Sequence, residues 1–116
     1  GSYNVLFEEY DKMPVSEELA AQKEIVKNML AKYQAAVASV NEVNDPEYTS
    51  FVARRLVEMA GDVVMSFLLI TDATRYASES MTKSAKVYVN FVQAEVEKHA
   101  SFIASFNPAD VALYKA

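Results

Sequence analysis

Apolar residues recur every three or four positions over most of this chain, with polar residues between them. Leu19, Val26, Met29, Leu30, Tyr33, Val37 and Val40 share one side of a helix, with Gln22 among them. Glu24, Lys27, Asn28 and Lys32 fall on the opposite, solvated side. Ser16 reads as the N-cap, and Glu17 and Glu18 then sit at the positive end of the helix. The pattern predicts a first helix over about 16–43.

The stretch "VNDPEY" is the sharpest boundary in the sequence. Asp45 can cap, Pro46 suits the first helical position, and Glu47 follows in the first turn. A second helix is expected over about 46–76. Its end is soft, because "RYASESMTKS" holds neither Gly nor Pro. Either Ser78 or Ser80 caps a third helix over about 79–106, or one kinked helix runs through this point. The inner face of the third helix reads Met81, Ala85, Tyr88, Val89, Val92, Val96, His99, Ile103, Phe106. Asn107 and Pro108 repeat the cap-and-proline signal before a short turn, 108–114. Tyr3, Leu6, Phe7 and Tyr10 also have helical spacing, within an arm or linker at 3–14. Alternation of strand type is brief, confined to "KVYVNFV". The expected fold is all-α: an up-and-down antiparallel bundle of three long helices, with the terminal segments forming a partial fourth.

The second helix is unusually apolar. Val52, Leu56, Met59, Ala60, Val63, Phe67 and Ile70 form a central face, and Val57, Val64 and Leu68 widen it. Packing against two neighbours accounts for most of that width. Phe51, Met65 and Leu69 fall on the remaining side among Arg54, Glu58 and Asp62. Aromatic residues, Met and Arg are enriched where proteins meet. Phe51, Arg54, Arg55, Glu58, Met65 and Leu69 are therefore the candidate interaction face; the alternative is apolar residues scattered singly on a soluble surface.

A membrane span is disfavoured, because Glu58 and Asp62 interrupt the apolar run early. Each would cost roughly 2.5–3.5 kcal/mol near the centre of a bilayer. The single domain of 116 residues has a net charge of -5, no cysteine, and only Gly1 and Gly61 as glycines. That excludes disulfides and thiolate chemistry, and it disfavours Gly-rich phosphate loops. Without a basic patch, neither nucleic acid nor an anionic membrane surface is an expected partner. Gly1 and Ser2 read as the scar of a removed tag, and no Met precedes Tyr3, so the chain is expected to be a segment of a longer protein.

Candidate chemistry is sparse. Glu58 and Asp62 share a face, as do Glu95 and His99, and the two pairs could in principle hold a metal. With His99 the only histidine, the ligand count is short, and a hydrogen-bonded His99 at the core edge is the plainer expectation. No G-x-S-x-G elbow supports a serine nucleophile. Tyr48, Tyr76 and Tyr88 are expected in the core with wet hydroxyls, rather than as catalytic acids. Arg54 and Arg55 are placed to pair with Glu58. Met29, Met59 and Met81 could line a space for an acyl chain, although filling the core is their commoner use. No catalytic, cofactor-binding or metal-binding residue is expected.

The segments "EYTSFVARRLVEMAGDVVMSFLLITDATR", "KSAKVYVNFVQAEVEKHASFI" and "FNPADVALYK" resemble the C-terminal helical domain attached to some bacterial acyl-CoA dehydrogenases. The likeness runs roughly from Asn4 to the end. It implies a cytoplasmic parent enzyme that oxidises acyl-CoA thioesters with FAD and a glutamate base. Those parts belong to preceding domains, so the resemblance implies a non-catalytic module. Its partners would be the catalytic domains of the same polypeptide or a second subunit, and a homodimer is one such arrangement. The competing expectation is a self-contained bundle that binds a small apolar ligand or acyl chain.

Overall fold

A computed structural model describes residues 2–115, and side chains from Asn4 to Tyr114. Gly1 and the side chains of Ser2 and Tyr3, with the tag-scar reading, lie outside the described residues. The helices are α1 (Ser2–Lys12), α2 (Ala20–Val43), α3 (Pro46–Tyr76), α4 (Glu79–Ser105) and α5 (Val111–Lys115). Short 3₁₀ turns, Glu17–Leu19 and Pro108–Asp110, lead into α2 and α5. There is no strand among the described residues, and the class is all-α.

Three contacts set the directions of the long helices. The Ser16 amide, before α2, donates to Thr74 Oγ1 near the end of α3 at 2.9 Å. Tyr48, at the start of α3, donates its hydroxyl to the Ile103 carbonyl near the end of α4 at 3.3 Å. Lys86 and Glu18, both near helix starts, approach to 3.6 Å. So α3 is antiparallel to both neighbours, while α2 and α4 run the same way. At 1.5 Å per residue, α3 is about 46 Å long, nearly the full 52 Å of the molecule.

The helix ends follow from local chemistry. Asp45 Oδ1 accepts from the Glu47 amide at 3.0 Å, with Pro46 in the first turn. Asn107 Oδ1 accepts from the Ala109 amide in the same way. At the soft boundary Ser78, not Ser80, is the cap: its Oγ accepts from the Met81 amide at 3.1 Å. A single kinked helix is ruled out there. Ala77 is left-handed, with φ 50°, and the Ser78 amide turns back to the Ala73 carbonyl at 3.3 Å. That is a helix stop built on an αL residue. Ser16 corrects its expected role as a side-chain cap. Its hydroxyl makes no capping bond, and α2 is instead entered through the 3₁₀ turn, where the Leu19 amide bonds the Ser16 carbonyl at 2.9 Å.

The core runs along α3. Tyr48, Val52, Met59, Val63, Phe67 and Ile70 are buried against Val26, Met29 and Val40 of α2, and against Ala85, Val89, Val96 and Ile103 of α4. Full burial of side chains of this size is worth about 1.5–3 kcal/mol each. Val57 departs from the expected wide face, being 63 % exposed. The ends of the chain supply the fourth layer. Phe7 of α1 is buried, 6.0 Å edge-on from Tyr33, and Tyr10 stacks on Phe67 at 5.6 Å. Lys23 ties down the end of α1, donating to the Asp11 and Met13 carbonyls at 3.1 and 3.3 Å. At the other end of the molecule, Val111 is buried and Tyr114 packs on Phe51 at 5.6 Å.

Candidate functional site

The polar residues singled out on α3 and α4 meet at the seam between those helices. His99 is buried, yet both ring nitrogens have partners. Arg55 lies 3.2 Å from Nδ1, and Glu58 Oε2 lies 3.0 Å from Nε2. A guanidinium can only donate, so Nδ1 accepts and Nε2–H donates to Glu58. Arg55 also stands 3.7 Å from the centroid of the Phe102 ring. Glu58 holds Arg54 at 3.4 Å with its other oxygen.

Asp62 and Glu95 flank this group. Desolvation at the seam raises the Asp62 carboxyl above its ordinary range; His99 works against that, and Glu95 and Glu58 reinforce it. Tyr88 is likewise pushed up, first by burial and then by the charge of Asp62. His99 links the two helices through both of its ring nitrogens. Among the described residues, no group of three or more His, Cys, Asp or Glu side chains is arranged to hold a metal.

The candidate interaction face divides in two. Phe51 is half-buried in an aromatic cluster with Phe102, Phe106 and Tyr114, at centroid distances of 6.3, 5.0 and 5.6 Å. Leu69 packs against the core. Arg55 and Glu58 are engaged by His99. Arg54 and Met65 point outward, with the Arg54 side chain 90 % exposed and Met65 44 %. The wheel did not separate these groups because α4 covers only one edge of this side of α3.

The remaining candidates are placed as follows. Tyr48 is buried and its hydroxyl bonds the Ile103 carbonyl, which corrects the expected wet hydroxyl; burial raises its pKa. Tyr76 is 64 % exposed and Tyr88 is half-buried. Met29 and Met59 are fully buried core residues, and Met81 packs against that core. A cleft of about 540 Å³ lies elsewhere. Tyr10, Met13 and Pro14 form one wall, and Leu68, Thr71, Asp72 and Arg75 of α3 the other. Periodicity could not reveal it, because it depends on how α1 leans on the end of α3. A second feature missed by sequence reasoning is the pair Val87 and Phe91 on the outer side of α4, 70 % and 63 % exposed. Their spacing of four was the available signal, hidden in "KVYVNFV" by the apolar residues between them.

No helix among the described residues is long and apolar enough to cross a membrane. Residues 1–111 match the family model described as Acyl-CoA dehydrogenase C terminal. The fold is similar to the crystal structure of the acyl-CoA dehydrogenase family protein from Porphyromonas gingivalis, with a TM-score of 0.82 and 38 % identity. That likeness covers 91 % of this chain and 90 % of the other. Among curated proteins none matches. The family match and the solved structure agree with the packing described above, and the chain belongs to the acyl-CoA dehydrogenase C-terminal family.

Proposed function

We propose that this bundle is a non-catalytic accessory domain of a cytoplasmic, flavin-dependent acyl-CoA dehydrogenase. It docks on the catalytic domains of the same polypeptide or on a second subunit, through the side of α3 that carries Phe51, Arg54, Arg55, Glu58, Met65 and Leu69. The observation that carries this reading is the use of the polar residues. Arg55, Glu58 and His99 are spent on joining α3 to α4, which leaves Arg54 and Met65 displayed beside a rigid seam.

A dinucleotide's phosphates need backbone amides at an unopposed helix start or a Gly-rich turn. Acidic side chains stand in the first turns of α3, α4 and both 3₁₀ turns, which does not suit the flavin, and Gly61 lies within α3. The FAD that the family implies is assigned to the parent enzyme's other domains. The test compares the full enzyme with versions lacking this segment, or carrying Arg54→Glu with Met65→Glu. Changed assembly or changed kinetics is expected. Identical subunit number and identical rates in all versions would overturn the proposal.

A second reading rests on the cleft between α1 and α3, whose Tyr10, Met13, Pro14 and Leu68 offer an apolar wall to a small ligand or acyl chain. Native mass spectrometry of the purified chain tests it. A retained small molecule supports the reading, and a clean apo mass opposes it.

A further inference from the structure

The side of α4 facing away from the core carries a seam of its own. Val87 and Phe91 stand on one face, one helical turn apart. Continuing that line in steps of four and three residues passes through Ser80, Ser84, Val87, Phe91, Ala94 and Lys98, and every one of these is exposed. Alternating steps of four and three average 3.5 residues, the period at which two helices stay in register along a shared seam. The inner face of α4 already meets α2 and α3, so this outer period is not needed to fold the bundle. The small side chains around the Val87–Phe91 pair allow a second helix to approach closely.

We propose that this face pairs antiparallel with α4 of a second copy of the chain. The charges select both the partner and the direction. Antiparallel pairing sets each Phe91 against Val87 of the other copy, and Ser84 against Ala94. Lys83 then comes beside Glu97 of the second copy, twice by symmetry, and shares that carboxylate with Lys32, which holds Oε1 at 3.0 Å. Lys83 makes no ion pair among the described residues, so it is free to take one. Asn90 meets its own copy across the two-fold axis, where two amides can exchange hydrogen bonds. Parallel pairing would instead stack Lys98 on Lys98 in the seam and leave Lys83 without a carboxylate opposite. The surface is centred on α4, does not depend on family membership, and is distinct from the α3 face.

Sedimentation equilibrium of the 116-residue chain, from micromolar to about 1 mM, tests the proposal. A monomer–dimer equilibrium is expected. Phe91→Lys should abolish the dimer with helical circular dichroism unchanged, and Arg54→Glu should leave it intact. Lys83→Glu and Glu97→Lys should each weaken self-association about tenfold, since each juxtaposes like charges. An equimolar mixture of those two variants should recover wild-type affinity, because the mixed dimer pairs opposite charges at both sites. A wild-type chain that stays monomeric throughout overturns the proposal. So does a dimer broken by Arg54→Glu but not by Phe91→Lys, or a mixture no tighter than its components.

Discussion

The guanidinium of Arg55 sits 3.7 Å from the centroid of the Phe102 ring, a cation laid on an aromatic face across the α3–α4 seam. The same group donates to His99 at 3.2 Å. A lysine keeps the charge but loses the planar surface and the fork of donors. Arg55→Lys should therefore destabilise the fold by about 1 kcal/mol, and Arg55→Ala by more. Urea unfolding followed by circular dichroism gives both numbers. A lysine variant as stable as wild type would show that charge alone suffices.

His99 is the centre of that seam, and the two ways of removing it should differ. His99→Ala leaves a hole and strips partners from Arg55 and Glu58, at a cost of about 2–4 kcal/mol. His99→Leu fills the hole and lets Arg55 and Glu58 approach each other, and should cost less. Equal losses in thermal unfolding would mean that the hydrogen bonds, not the volume, carry the stability.

Asp62 gives a dependence on pH. Its carboxyl is raised by burial at the seam, so the folded state favours the protonated form more than the unfolded chain does. Its contribution to stability is greatest below the unfolded pKa and is lost as pH rises through the folded one. At pH 7 its charge is a cost. Asp62→Asn should raise the melting temperature there, and the gain should shrink as pH falls towards about 4 and vanish below it. A gain that grows on acidification would contradict the assigned cause.

Backbone and residue type are mismatched at two places in the helices. Gly61 lies within α3, and a Cβ added there would meet nothing within 4 Å. Gly61→Ala should stabilise by about 0.5–1 kcal/mol. Ala77 holds the left-handed turn at φ 50°, where a Cβ costs roughly 1 kcal/mol. Ala77→Gly should recover part of that. Differential scanning calorimetry of the double variant should show nearly additive gains, because the two sites are far apart along α3.

Thr74 is a small hinge pin between α2 and α3. Its hydroxyl donates to the Ile70 carbonyl at 2.9 Å and accepts from the Ser16 amide at 2.9 Å. Thr74→Val keeps the shape but leaves the Ser16 amide without its partner, at about 1–3 kcal/mol, whereas Thr74→Ser should be milder. Equal stability of the valine variant in chemical denaturation would mean that solvent replaces the hydroxyl.

The three long helices were legible because two prolines follow cap residues and the apolar periods are long. The break at Ala77 was legible only as one of two alternatives beside a single kinked helix, since alanine carries no preference for a left-handed turn. The pairing of Glu58 with Arg54 was visible in the spacing, whereas that of Arg55 with His99 was not. The latter depends on the register between helices, which neither wheel contains. Phe51 read as a surface residue for the same reason: the aromatic residues that cover it, Phe102, Phe106 and Tyr114, arrive from the far end of the chain.

Each of the other four helices touches α3. The two helical hairpins share α3 as one arm, and α2 and α4 also pack on each other, so opening either hairpin breaks contacts of both. Amide hydrogens along α2, α3 and α4 should exchange with solvent through a single global event. Those of the short end helices should escape earlier, by local detachment.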